Sequence, residues 1–303
     1  MDTARAQRIL RQHLLTDHLF GVNTVPTSGS SVTPAAISSE SLSSASPPAP
    51  PVPQASASQR SRESFHLQAP SPVAVTHDLT HAGESVWAKI TIPNAAGNAS
   101  LNTDEKQQLL DQMNQLEVTT CKQCDLCQGR TQTVFGEGSV KADLMFIGEG
   151  PGRDEDQQGR PLVGKPGELL GKMIVAMGFK QEEVYIANVV KCRPPNNRTP
   201  ALSQVQACGE YLLRQIAIIQ PKVIVTLGGP AANLLLDTPE GITKIRGNWH
   251  SFDALKPDGP SIDVMPTFHP AYLLRSYTKD NREKVWKDLQ AVISRLEKYT
   301  HRV

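Results

Sequence analysis

The chain has 303 residues, 39% hydrophobic and 20% charged, with 23 Pro and 5% aromatic residues, which admits one large or two small domains plus a segment that does not fold. No run of about 18 apolar residues exists to span a bilayer, and the opening Met1, Asp2, Thr3, Ala4, Arg5 lacks the apolar core of a secretory signal. Lys and Arg total 31 against 30 Asp and Glu, so the global charge favours no polyanionic partner and any nucleic-acid site must be a local patch.

These features predict a cytoplasmic monomer with no membrane partner. Over residues 1–22, Ile9, Leu10, Leu14 and Leu15 fall near helical spacing with Arg5, Arg8 and Arg11 on the polar side. That pattern predicts a short amphipathic helix, marginal alone and suited to docking on a protein partner. Residues 23–101 are predicted to be a largely disordered linker. From 24 to 61 they are dominated by Ser, Pro and Ala, with Glu40 and Arg60 the only charges, and cannot bury enough apolar surface to offset ordering entropy. The strand-like SVWAKITI at 85–92 is broken up by the prolines and small residues around it.

A folded domain is expected over 102–303. Asn102 with Glu105 forms a capping-box pattern, and Leu109, Leu110, Met113 and Leu116 recur at helical spacing behind it. Strands are predicted at 143–147, 184–190, 223–227 and 262–266, separated by helices at 167–177, 202–220, 230–236 and 282–299. Alternation of this kind predicts an α/β fold, a three-layer α/β/α domain around a central four-stranded parallel sheet. Each strand runs into an unusual loop: GEGPG at 148–152, KCRPPNNR at 191–198, GGP at 228–230 and FHPAYLLR at 268–275. In an open parallel sheet the carboxyl-end loops share one edge, and ligands bind there.

Cys121, Cys124 and Cys127 form a C-x2-C-x2-C run, Cys192 lies in the loop after the second strand, and Cys208 sits in the following helix. Thiolates ligate both iron-sulfur clusters and structural zinc, and a set drawn from two distant segments would strap them together. Spacing alone leaves zinc and a cluster both open, with five candidates for four places.

Taken in order, C-x2-C, GEGPG, GRPLVG, NVVKCRPPNNR, Cys208 and HPAYLL resemble the family 4 uracil-DNA glycosylases, the iron-sulfur branch of their superfamily. The resemblance spans roughly 103–299. It implies a [4Fe-4S] cluster held by Cys121, Cys124, Cys192 and Cys208, with Cys127 a bystander, and a DNA partner containing uracil. It also implies hydrolysis of the N-glycosidic bond of deoxyuridine to leave an abasic site. A non-catalytic iron-sulfur DNA-binding or polymerase-associated module of the same fold is the alternative.

The rim residues suit such a task, since a glycosylase must extrude a base, grip its edge and stabilise the charge that develops on it. Asn188 ends the second strand, where its amide offers one donor and one acceptor to uracil N3-H and O4. His269, held ahead of Pro270, is placed to donate to uracil O2. Gly150 and Gly152 let backbone approach a ligand, and Glu149 between Gly148 and Gly150 is a candidate for orienting the attacking water. Glu155 is implied by the resemblance to shape the pocket near the base's C5 edge, and is a second catalytic candidate. Leu162 stands where the family often has an aromatic that stacks on uracil, so stacking energy of about 1 to 3 kcal/mol is expected to be missing. Lys191, Arg193 and Arg198, with Arg275, form the predicted phosphate-binding patch. Tyr272, Leu273 and Leu274 read as a wedge that fills the gap left by the extruded base. His250 is expected to be structural.

Overall fold

The computed structural model describes residues 101–255 and 260–300. The expected helix over 1–22 and all but the last residue of the expected linker over 23–101 lie outside these residues. Asn102 caps the first helix, α1 (Thr103–Gln112), as the capping box requires. Its side chain accepts from the backbone N–H of Asp104 and Glu105, and Glu105 accepts in return from the Asn102 N–H. α1 runs on into a π-helical segment, Met113–Val118, which delivers the chain to Cys121. A single turn, α2 (Leu126–Gly129), holds Cys127, the last of the cysteine run.

The sheet contains β1 (Glu137–Gly138), β2 (Leu144–Gly148), β3 (Tyr185–Asn188), β4 (Val223–Leu227), β5 (His250–Phe252) and β6 (Ile262–Thr267). Their order is β1-β3-β2-β4-β6-β5. The four expected strands form a parallel centre, β3-β2-β4-β6, but the sheet is mixed and six-stranded because β1 and β5 add antiparallel edges. Both additions are too short to show alternation in the sequence, which is why a four-stranded sheet was expected. Pro266 is tolerated in β6 because β5 pairs only with Ile262, Asp263 and Val264, so the missing N–H at 266 costs no bond to β5.

The remaining helices are α3 (Arg153–Gln158), α4 (Gly164–Ala176), α5 (Leu202–Ile219), α6 (Gly229–Leu236), α7 (Ile242–Ile245), α8 (Pro270–Arg275) and α9 (Lys279–Thr300). Alternation along each central strand divides the core into two apolar clusters. Met145, Ile147, Tyr185, Ala187 and Ile224 pack with Leu110, Leu212, Ile216, Leu234 and Leu235 from α1, α5 and α6. Leu144, Phe146, Ile186, Val223 and Val225 pack with Leu170, Ile174, Leu273, Val285 and Leu289 from α4, α8 and α9. Helices therefore cover both faces, giving three layers, and ligand access is left to the strand ends. No described helix is long and apolar enough to cross a membrane.

Candidate active site

All four parallel strands open at their carboxyl ends onto one cavity of about 690 Å³, whose lining includes Gly148, Glu149, Gly150 and Gly152 after β2, Asn188 at the end of β3, Gly228 after β4, and His269 after β6. From β3 to β6 the floor spans three strand spacings, about 14 Å of sheet edge, enough for a nucleobase and its sugar. The expected rim is thus a single site.

β2 and β3 pair in register through Gly148 and Asn188, and the two meet closely: a Cβ at residue 148 would lie 2.3 Å from Asn188 Oδ1. Glycine at 148 is what leaves room for the amide. At Gly150 an added Cβ would strike Val190 Cγ2 at 2.8 Å, so the GEGPG loop lies directly on the segment that follows β3. Asn188 is 7% exposed, and among the described residues its side-chain amide has no hydrogen-bond partner. A buried amide with open donor and acceptor positions facing a cavity is set up for a ligand.

His269 is fixed in the opposite manner. It is the N-cap of α8, and its Nδ1 accepts from the Ala271 N–H at 3.0 Å. Nδ1 therefore carries the lone pair, and the neutral ring holds its proton on Nε2 as a donor. Burial, with the Arg275 charge adding to it, lowers the pKa from the ordinary 6.5 to about 4, so the ring is neutral at physiological pH.

Glu155 occupies a different position from the one a catalytic acid or base needs. Its Oε2 accepts from the Gly152 N–H at 2.8 Å and its Oε1 from the Leu162 N–H at 3.0 Å, so both oxygens are used by backbone. It closes the capping box of α3 and ties GEGPG to GRPLVG, which assigns it to shaping the pocket. Burial holds its carboxyl above the usual range although both N–H groups favour the ionised form. Leu162 lines the cavity with φ of 60°. Gly167 in α4 lies against its backbone, where an added Cβ would come within 2.2 Å of the Leu162 carbonyl carbon. Phe268 is an aromatic in the cavity wall that the sequence did not single out; its ring packs against Tyr272 with centroids 4.9 Å apart.

Two expected DNA contacts are corrected by the structure. Lys191 is 1% exposed, and its Nζ donates to the Asn188 carbonyl at 2.9 Å and to Gln215 Oε1 at 2.5 Å, so it cannot reach a phosphate. Its neighbours Arg193 and Arg198 do not share its burial, and Arg198 lines the cavity with Arg275. In the wedge, Leu273 is fully buried against the α9 side of the core, whereas Tyr272 and Leu274 are 37% and 41% exposed. Adjacent positions on a one-and-a-half-turn helix must face different ways, and α8 turns 273 inward. His250 is structural as expected: it opens β5, and its Nε2 lies 3.3 Å from the Ile245 carbonyl oxygen.

A second, smaller pocket is lined by all five thiols, Cys121, Cys124, Cys127, Cys192 and Cys208, with Arg130, Lys191 and Tyr211 around them. Among the described residues no group of three His, Cys, Asp or Glu side chains is arranged to hold a single metal ion. Arg130 donates to Cys192 Sγ at 3.1 Å, and the Lys191 N–H approaches Cys208 Sγ at 3.2 Å. Burial pushes the Cys208 thiol up to about 12, and raises Cys124 and Cys192 as well. An all-sulfur set lining a pocket and supplied with N–H donors and a guanidinium fits a thiolate-ligated metal group.

Residues 135–290 match the uracil DNA glycosylase superfamily. A type-4 uracil-DNA glycosylase of Thermotoga maritima is 46% identical over 182 residues, 60% of this chain and 92% of that protein. One of Sulfurisphaera tokodaii is 45% identical over 181 residues, 58% of this chain and 80% of that protein. One of Archaeoglobus fulgidus is 40% identical over 180 residues, 58% of this chain and 88% of that protein. The matched region holds the six-stranded sheet and every loop of the rim, and the chain belongs to the type-4 uracil-DNA glycosylases of the uracil DNA glycosylase superfamily.

Proposed function

We propose that this chain hydrolyses the N-glycosidic bond of deoxyuridine in DNA, releasing uracil and leaving an abasic site for base excision repair. The observation that carries the reading is the pairing, in one cavity, of an unpartnered Asn188 amide with a His269 ring fixed as a neutral Nε2 donor. Asn188 reads the O4 and N3-H edge of the flipped base; cytosine, which presents a donor at C4, would meet the amide with its polarity reversed. His269 Nε2–H donates to O2, where negative charge gathers as the base leaves, and a neutral donor already in place stabilises that charge without a proton transfer. Glu149 stands beside the base in the GEGPG loop and orients the attacking water. Among the described residues no lysine amine lines the cavity to form a covalent intermediate, which supports a monofunctional hydrolysis.

Arg198 and Arg275 at the mouth hold the phosphates either side of the flipped nucleotide, and Tyr272 and Leu274 fill the space it vacates. Cys121, Cys124, Cys192 and Cys208 hold a [4Fe-4S] cluster, with Cys127 spare. Bound there, the cluster supplies a cross-link between the segment after α1 and the β3–α5 region. These residues do no chemistry on the base.

The test is uracil release from a labelled deoxyuridine oligonucleotide by protein purified without oxygen, with the visible spectrum taken on the same sample. Uracil release by a brown protein absorbing broadly near ~400 nm is expected. A brown protein inert on every uracil context would overturn the catalytic reading in favour of a DNA-binding module.

A further inference from the structure

Lys191 is a buried ammonium that the mechanism above does not use, and its partners lie on both sides of it. Its Nζ donates to the carbonyl of Asn188 at 2.9 Å and to Gln215 Oε1 at 2.5 Å. Gln215 is itself locked, its Nε2 donating to the Phe135 carbonyl at 2.9 Å and lying 3.1 Å from Tyr185 OH. The Lys191 backbone N–H meets Cys208 Sγ at 3.2 Å, its carbonyl accepts from the Val134 N–H at 2.8 Å, and the next residue is Cys192. A charge taken fully out of water is costly unless it is bonded, so a lysine here needs a reason that an apolar side chain of similar length would not satisfy.

We propose that Lys191 is a positioning residue for base recognition, pinning the backbone of Asn188 where β3 ends and joining the uracil cavity to the sulfur pocket. The Val189 N–H donates to the Gly148 carbonyl at 2.9 Å, so the Asn188 carbonyl of the same peptide points away from β2, on the side where β1 pairs only with Tyr185 and Ile186 and leaves it without a ladder partner. An ammonium held by Gln215 from α5 fixes that carbonyl, and with it the direction in which the Asn188 amide leaves the backbone. The amide has no partner of its own among the described residues, so its aim depends on the backbone that carries it. A small misplacement of a group that must meet a base edge costs on the order of 100-fold in rate. This inference rests on the glycosylase reading given above.

The experiment compares single-turnover uracil excision by the full-length wild type, Lys191→Met, Asn188→Ala and the double variant, with iron content and melting temperature recorded for each. Lys191→Met is expected to lower the maximal rate about 30- to 100-fold with the half-saturating DNA concentration unchanged, because the phosphate contacts lie elsewhere. In the Asn188→Ala background it is expected to cost no more than about 3-fold, since residues acting as one unit are non-additive. Iron content stays at the wild-type level.

Additive losses in the double variant, or a Lys191→Met rate within about 3-fold of wild type, would overturn the inference. Should Lys191→Met fold poorly, Gln215→Met removes the second partner of the ammonium and leaves Lys191 in place. It is expected to give a smaller loss in the same step, also absent in the Asn188→Ala background, and an unchanged or additive rate there counts against the inference equally. A wild type that releases no uracil removes the glycosylase reading and this inference together. A wild type that excises beside an equally active Lys191→Met removes this inference alone.

Discussion

His269 and Asn188 both stand at strand ends, but one is held by its side chain and the other by its backbone. The bond from the Ala271 N–H to Nδ1 selects the His269 tautomer, so the residue that caps α8 is also the one whose Nε2–H is proposed to donate to O2. His269→Ala is therefore expected to cost about 100-fold or more in single-turnover excision, the usual scale for a lost donor to developing charge. It should also cost about 1 kcal/mol of stability from the lost cap, read by denaturant unfolding. Asn188→Ala should lower excision by a comparable factor and leave stability nearly unchanged, because its amide makes no bond in the free protein. Protonation separates the two histidine roles further. The folded pKa of about 4 lies below the ordinary 6.5, so the unfolded chain takes up this proton first. The His269 contribution to stability is complete above pH 6.5 and is lost as pH falls from 6.5 towards 4. Excision, which on the proposed mechanism needs the neutral ring, should show no inflection near pH 6.5; an inflection there in a pH–rate profile would contradict the lowered His269 pKa.

At the scale of elements, the GEGPG loop, α3 and GRPLVG form one unit stitched by Glu155. Glu155→Gln replaces one of two acceptors with a donor that faces an N–H. The expected result is slower excision and a lower melting temperature with cluster content unchanged, since the buried N–H left unpaired costs about 1 to 3 kcal/mol. The same unit presents Leu162 to the cavity. Leu162→Phe is expected to raise excision or tighten binding to a uracil-containing oligonucleotide by up to about 10-fold, a rough share of base-stacking energy. No gain would indicate that Phe268, already in the cavity wall, supplies the aromatic surface. Within α5, Cys208 is a different kind of element contact. Cys208→Ser should lose the absorbance near ~400 nm and most of the iron, because a serine oxygen is a poor substitute for a thiolate ligand. Retention of full iron would move Cys127 into the ligand set.

At the scale of the whole molecule, the residues proposed for DNA grip and base recognition line one cavity at the strand ends, and the five thiols line a second pocket that shares the β3–α5 segment with it. Arg198→Ala and Arg275→Ala are each expected to weaken binding of DNA of any sequence and to lower the salt dependence by about one unit, measured by titration at several salt concentrations. The sequence by itself determined the class of fold, the four central strands, the rim and the identity of its loops, because apolar runs, glycine punctuation and cysteine spacing are local and survive in one dimension. It also supplied Asn188 and His269 as candidates, since one ends a strand and the other follows one, and the cysteines through their spacing. It could not supply the antiparallel edges, as two- and three-residue strands exist only through their partners. Nor could it separate Lys191 from Arg193, or Leu273 from Leu274: neighbours in a chain share composition and motif but point to different sides of the backbone. Which of them is buried and which stays accessible is fixed by packing against Gln215 in one case and α9 in the other. The tertiary structure also decided that both Glu155 oxygens face backbone N–H groups, because a carboxylate's partners come from residues brought together by folding.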